Sequence, residues 1–386
     1  MAARFELSWP PVSRVPHIFR WDLDKTYLKS DFETLRDLVK TARLTAEQRE
    51  NVPGSAALLR AIREDPRIDG KVYFISGSPS HMRAVLERKF ELDGVEPDGF
   101  VLKPTLSHML RGRFRAVRGQ VAYKIGQLLQ GRSHTPIGTV ETLFGDDAEN
   151  DAFIYSLYAD VLAGRVPREV LHEVLRRSGA YPFQIDEIDG ALETVVREDP
   201  VQRIVIHLDQ RTPPETFLPF FPRLVPIHSH LQTAMILYLD GTLERSCIQR
   251  VAWELIGRYG GQVESLADMA EDLLRRRRQH LRLDFVAQLA TDLRAMVGAP
   301  DPDGRGPNGD GRGPNGADRI QPRVDALLEA IAQRAESVRQ ADAEPPPAEG
   351  DRDYVALWEN EMSLMAQRRR RRKAGELSEA APKDEP

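Results

Sequence analysis

The first half of the chain alternates short apolar runs with longer amphipathic stretches. Runs at His17 to Trp21, Val72 to Ile75, Gly99 to Leu102, Thr139 to Phe144 and Ile204 to Leu208 read as strands, and stretches at Gly54 to Arg63, Pro79 to Glu91, Val121 to Leu129 and Ala152 to Leu162 read as helices. Strand and helix in turn predict an α/β fold, a parallel sheet with helices on both faces and a site at the carboxyl ends of the strands. Thr26 to Val72 leaves room for a flap, whereas Leu92 to Val121 is too short for an independent lid domain. A small or absent cap would leave the cleft open, which suits bulky substrates better than small ones.

Polar groups with chemical potential stand where these runs end. Asp22-Leu23-Asp24-Lys25-Thr26 follows the first run. Two Asp one residue apart at a strand end point the same way, because side chains alternate faces. Ser76-Gly77-Ser78-Pro79 follows the second run, Lys124 lies early in a helical stretch, and Gly145-Asp146-Asp147-Ala148-Glu149-Asn150-Asp151 follows the fourth strand. Taken singly, such pieces are turns, caps or solvated faces, and Ser78-Pro79 is also an ordinary helix start. Four of them in register on strand ends point to chemistry.

This order and these flanks resemble the haloacid dehalogenase (HAD) superfamily of phosphohydrolases, over roughly residues 15 to 210. Within it, Phe74-Ile75-Ser76-Gly77-Ser78-Pro79, Gly145-Asp146 with Asp151, Ile154-Tyr155 and Gly164-Arg165-Val166 are similar to the catalytic domain of the actin-patch phosphatidate phosphatase family. The resemblance implies a HAD-like Rossmannoid sheet and a phosphatase, with phosphatidate as the leading named substrate. Two positions depart from the pattern. Asp147 stands where that family has a small residue, and Lys25 where many relatives carry Gly or Asp.

The same residues suit phosphoryl transfer on chemical grounds. A phosphate monoester dianion resists attack by another anion unless a divalent cation and fixed donors offset the charge. Asp22 is the expected nucleophile, forming an aspartyl-phosphate, and Asp24 the acid and then base. Thr26, Ser76, Gly77 and Lys124 form the expected phosphate-binding set. Mg²⁺ suits an all-oxygen site drawn from Asp22, the Asp24 backbone carbonyl, Asp146 and waters. Asp146 is favoured as a direct ligand, Asp151 as a holder of the site, and Asp147 is left as an alternative carboxylate of the metal shell. Rival readings are a phosphatase of another phosphomonoester, whether phosphoprotein or small metabolite, and a catalytically idle scaffold. The intact set of Asp22, Asp24, Lys124 and Asp146 weighs against the latter.

Composition bounds the rest. The chain has 386 residues, 41% of them hydrophobic, a formal net charge of -5 and one cysteine, Cys247. That excludes a disulfide framework and makes a reducing, cytoplasmic setting the default. No apolar run approaches the ~20 residues of a membrane span, and Met1-Ala2-Ala3-Arg4-Phe5-Glu6 lacks a signal-peptide core. The expected organisation is a phosphatase domain over 1–245, a helical extension over 246–298, a flexible Gly/Pro-rich linker over 299–318 and a helical and disordered basic tail over 319–386.

Leu224 to Leu243 holds two decoys. Asp240-Gly241-Thr242 has Tyr238 in the nucleophile position and reads as a strand ending in a turn, and His228 and His230 read as one face of a strand, structural rather than metal-binding. Beyond the repeat of Gly304 to Gly316 and the break at Pro345-Pro346-Pro347, Tyr354, Trp358, Met362 and Met365 form an apolar stripe that runs into Arg368 to Lys373. Such a helix could lie on an anionic membrane surface, dock on the core or stay disordered. Nucleic-acid binding has weaker support, because the whole chain is acidic and no recognition fold is visible.

Overall fold

The computed structural model describes residues 14–29, 44–103, 119–277, 283–303, 314–339 and 352–379. Its centre is a six-stranded sheet of β1 (Val15–Trp21), β2 (Ile68–Pro79), β3 (Gly99–Lys103), β4 (Val140–Asp146), β5 (Val201–His207) and β6 (Leu224–Ile227). The strand order is β3-β2-β1-β4-β5-β6, with every pairing parallel. The order reverses between β1 and β4, and open α/β sheets bind ligands at the carboxyl ends beside such a reversal.

Between the strands run α1 (Ser55–Glu64), α2 (Arg83–Asp93), α3 (Gln120–Ser133), α4 (Asp151–Leu162), α5 (Arg168–Arg177) and α6 (Pro182–Thr194). After the sheet follow α7 (His230–Leu239), α8 (Ser246–Gly257), α9 (Val263–Arg277), α10 (Leu283–Arg294), α11 (Pro314–Arg339) and α12 (Tyr354–Glu379). Two separate cores result, one on each face of the sheet. Phe19, Trp21, Val72, Phe74, Phe144 and Val205 pack against α1, α2 and α7 to α11. Ile75, Leu143, Ile204 and Ile206 pack against α3 to α6 and the start of α12. Neighbouring residues along one strand, such as Leu143 and Phe144, thus bury on opposite sides, as the period of two requires.

Several expectations change here. The segment expected to end as a strand at Asp240 is instead β6 followed by α7. All ten residues of α7 are buried, so no amphipathic period marks it, and a short apolar run does not separate a strand from a buried helix. Ser229 caps that helix, its Oγ accepting the Leu231 N–H at 3.2 Å, so His228 and His230 do not share a strand face. The described parts of the expected linker and tail pack against the fold. Residues 299–303 carry Asp303, whose carboxylate bonds Arg60 and Arg250, and α11 buries Val324, Leu327, Leu328, Ile331 and Ala335 in the core shared with β1 and α8. The rest of the Gly304 to Gly316 array up to residue 313, the Pro345 break, the flap centre at 30–43, the segment 104–118 and the first 13 residues lie outside the described residues.

α12 docks rather than projects. Tyr354 and Trp358 are buried against Phe153 with ring centroids 5.8 and 5.3 Å away, and the Tyr354 hydroxyl donates to Asp160 at 2.6 Å. Half the predicted stripe is therefore spent on the core, leaving Met362 exposed; the side chains of Arg368 to Lys373 lie outside the described residues. No described helix is long and apolar enough to cross a membrane. Trp358→Ala should lower stability by about 3 kcal/mol, the usual cost of truncating a buried aromatic, and an unfolding midpoint equal to wild type would show that α12 does not hold this contact in solution.

Two buried imidazoles make the fold acid-sensitive. Burial lowers His17 from 6.5 to about 4 and His230 from 6.5 to about 3. Below 6.5 these rings bind protons in the unfolded chain that the folded chain refuses, so their own contribution to stability falls as pH drops from 6.5, and the His17 share stops growing near 4. Each contributes up to about 1.4 kcal/mol per pH unit in that window. An NMR titration of the ring protons should find both imidazoles still neutral at pH 5, and a midpoint near 6.5 for either would contradict burial of the neutral ring.

Candidate active site

The carboxyl ends of β1 and β4 bring the charged motif residues together. The Asp22 N–H donates to the Phe144 carbonyl at 2.8 Å, extending the β1–β4 pairing one step beyond Trp21. Lys124, one turn into α3 and only 1% exposed, points its ammonium at Asp22 Oδ1 (2.9 Å), Glu149 Oε2 (3.1 Å) and Asp151 Oδ1. Asp22, Glu149 and Asp151 form an acidic triad, two members of it buried, that can hold a metal ion. Glu149 was not among the expected site residues. Its position in the turn just before Asp151 was the available signal, since its backbone N–H is bound by Asp146.

Gly145 is required by this closure. A Cβ there would meet Asp151 Oδ2 at 2.4 Å and Asp151 Cβ at 2.5 Å, so only glycine lets the start of α4 settle on the end of β4. Asp146 then turns Oδ1 onto the N–H groups of Ala148 (2.6 Å) and Glu149 (3.1 Å), while its buried Oδ2 has no partner among the described residues. Burial and the carboxylates of Asp151 and Glu149 push Asp146 well up. Burial also pushes Asp22 well up against the pull of Lys124, with Asp151 and Glu149 adding to the rise, whereas its acidic neighbours hold Lys124 firmly as an ammonium despite burial. Asp22, Asp146, Glu149 and Asp151 thus set four carboxylates against one ammonium, Lys124. A divalent cation would relieve that excess, and the triad of Asp22, Glu149 and Asp151 is the group that could hold one.

The remaining expected residues divide. Asp24 Oδ2 accepts from Ser78 Oγ at 2.9 Å and from Ser76 Oγ at 3.4 Å, so both hydroxyls serve the second Asp. Ser76 was expected on phosphate and Ser78 as a cap; Ser76 Oγ also accepts the Ser78 N–H at 2.9 Å. Gly77 lies in the irregular stretch of β2, where a Cβ would meet nothing within 4 Å, so no close approach explains glycine there. The buried Thr26 Oγ1 has no partner among the described residues, and neither polar atom of the Asn150 amide has one.

Asp147, left as an alternative carboxylate of the metal shell, is engaged by backbone N–H groups. Its Oδ1 accepts the Gln210 N–H at 2.7 Å and its Oδ2 the Thr212 N–H at 2.9 Å. Both oxygens are thus turned to the loop after β5, away from the metal role left open for them. Lys25 pairs with Asp209 at 3.3 Å in the same region and takes a left-handed φ of 62°. His230, the supposed partner of His228, has its Nε2 on the Thr26 carbonyl at 3.2 Å.

No family profile, no curated protein and no solved structure matches the chain.

The geometry separates two adjacent acids by experiment. Mg²⁺ or Mn²⁺ should raise the unfolding midpoint of the wild-type chain, since a ligand that binds only the folded state stabilises it. Asp146→Ala should abolish that rise. Asp147→Ala should keep it while losing about 2 kcal/mol of stability, because two backbone donors lose a charged acceptor. An undiminished rise in Asp146→Ala, or its loss in Asp147→Ala alone, would reverse the assignment.

Proposed function

We propose that the chain is a Mg²⁺-dependent phosphate monoester hydrolase of the HAD type, working through a covalent intermediate on Asp22. What supports this most is the meeting of Asp22, Lys124, Asp146 and Asp151 at the carboxyl ends of β1 and β4, beside the unpartnered Thr26 Oγ1, Asp146 Oδ2 and Asn150 amide. Buried polar groups without partners are rare in a folded chain, and several beside one acidic hub suit a ligand that brings both cationic and anionic groups.

In this reading Lys124 holds Asp22 Oδ1, and Asp22 Oδ2 attacks phosphorus as the bond from phosphorus to the leaving oxygen breaks. Asp24, aimed by Ser78, gives its proton to the leaving oxygen. It then takes a proton from water, whose oxygen attacks phosphorus and frees Asp22. Thr26 Oγ1 and the Asn150 amide are the donors left to meet phosphate oxygens. Mg²⁺ bound by Asp22 and Asp146 would supply the charge that lets one anion approach another.

The substrate class is a phosphate monoester, and phosphatidate is the member named by the resemblance. The docked Trp358 removes part of the apolar stripe that would have carried the chain to a membrane, so a lipid substrate rests on the motif spelling alone. Purified full-length protein should release phosphate from at least one of phosphatidate, sugar phosphates, nucleotides, phosphopeptides and p-nitrophenyl phosphate, with Mg²⁺ required. Asp22→Asn, which keeps volume and loses the attacking charge, should lower kcat by about a thousandfold or more. Retained turnover in a clean Asp22→Asn preparation would sink the nucleophile, and silence of the wild type across the panel would sink the phosphatase.

A further inference from the structure

His207 and His230 stand behind the Asp24 loop and take no part in the chemistry above. His207 ends β5 and His230 begins α7, and their rings stack with centroids 5.9 Å apart at an interplanar angle of 14°. His207 Nδ1 lies 2.9 Å from the Lys25 carbonyl oxygen, and His230 Nε2 lies 3.2 Å from the Thr26 carbonyl oxygen. A carbonyl only accepts, so each of these nitrogens must carry a hydrogen. The tautomers are thereby fixed: Nδ1–H for His207 and Nε2–H for His230, whose Nδ1 is left to face Thr233 Oγ1 at 3.4 Å.

The loop they hold also closes on itself, the N–H groups of Tyr27 and Leu28 both donating to the Leu23 carbonyl at 3.1 and 2.8 Å. Lys25 is a non-glycine residue in the left-handed region, a conformation that costs of order 1 kcal/mol and persists only where neighbours impose it. The Lys25 N–H is tied to the Leu28 carbonyl at 2.7 Å, but the carbonyls of Lys25 and Thr26 face out of that turn toward the imidazoles. His207 also reaches the second acidic loop: its own carbonyl accepts the Asp147 N–H at 3.1 Å. One residue therefore links the loop after β1, which carries Asp24, to the loop that leaves β4 directly after Asp146.

We propose that His207 and His230 are positioning residues, paired imidazole donors that clamp the consecutive carbonyls of Lys25 and Thr26 and so set Asp24 and Thr26 against the reaction centre. The catalytic consequence rests on the phosphatase reading, whereas the clamp itself does not. Burial keeps both rings neutral at physiological pH, so the donors are amide-like rather than cationic. An amide can then replace them if its nitrogen falls in the same place: the Asn amide nitrogen stands near the place of imidazole Nδ1, and the Gln amide nitrogen near that of Nε2.

The experiment uses the full chain in two arms. Nitrogen-15 NMR of the histidine rings at pH 7 should show His207 as the Nδ1–H tautomer and His230 as the Nε2–H tautomer. His207→Phe, which keeps a ring stacked on His230, should speed exchange of the Lys25 amide hydrogen. In the second arm, with p-nitrophenyl phosphate and Mg²⁺, His207→Phe and His230→Leu should lower kcat roughly 10- to 100-fold with less change in KM, the scale of a misplaced catalytic group. His207→Asn and His230→Gln should recover part of that loss, measured well below each variant's unfolding midpoint. The opposite tautomers, or equal losses in the donor-keeping and donor-lacking variants, overturn the clamp. Silent wild-type enzyme with the expected tautomers and faster Lys25 exchange in His207→Phe overturns the phosphatase reading and leaves the clamp standing.

Discussion

The Lys124 ammonium is the constraint on which the rest of the site depends. At 1% exposure it has almost no water, and an isolated buried ammonium would give up its proton. It remains charged because Asp22, Glu149 and Asp151 converge on it from the end of β1, the turn after β4 and the first residue of α4. Three elements are thus located by one cation. Breaking a buried pair by removing one partner commonly costs about 3 to 5 kcal/mol, so the cluster that carries the chemistry also fixes where α3 and α4 sit against the sheet.

The sheet separates this charge from its rigid packing. Trp21 and Phe144 stack at 4.0 Å and 12° on one face, with Phe19, Phe74 and Tyr27 beside them. On the other face, Arg20 and Arg132 bond the buried Glu141, which also accepts from Tyr158 at 2.9 Å. Arg20 and Asp22 are two residues apart, so strand alternation puts the buried ion network and the nucleophile on the same side. Burial raises the cost of every unpaired charge there, and the acidic excess around Asp146 is the imbalance that a ligand could meet.

Much of this was legible from the chain because it depends on local chemistry. Strand ends followed by Asp-x-Asp, Ser, and Gly-Asp are short patterns whose direction is dictated by period two, and all five expected strands lie within or within one residue of those observed. What failed had a common cause: its signal was not local. α7 is buried all round, so its residues carry no polar face. α11 looked like a tail because only contact with α8 and α10 reveals its apolar side as interior. Asp147 and Asp146 are indistinguishable as neighbours in sequence, and only the Gln210 and Thr212 N–H groups, more than sixty residues away, decide which carboxylate is already occupied. Ser78 and Glu149 were missed because a hydroxyl or carboxylate beside a recognised motif residue reads as a cap until its partner is seen.

The C-terminal half reaches the site through a second buried network. Arg60 on α1 bonds Glu254 of α8 and Asp303, and its Nη1 donates to the Asp93 carbonyl at 2.8 Å. The Asp93 carboxylate in turn accepts from the Tyr27 hydroxyl at 2.5 Å, from Asn51 at 2.8 Å and from Lys89 at 2.5 Å. Tyr27 follows Thr26 directly, so side-chain and backbone bonds connect residue 303 to the Asp24 loop through groups that are nearly all buried. Most donors and acceptors in this path are matched, the buried Glu254 Oε1 having no partner among the described residues, and in a low-dielectric interior each matched bond stiffens the network while an unmatched group is costly. α8 and the segment of residue 303 are therefore part of what holds the loop of Asp24 and Thr26, together with His207 and His230. A chain cut at the end of β6 would keep every motif residue but lose His230 from one support and Glu254 and Asp303 from the other.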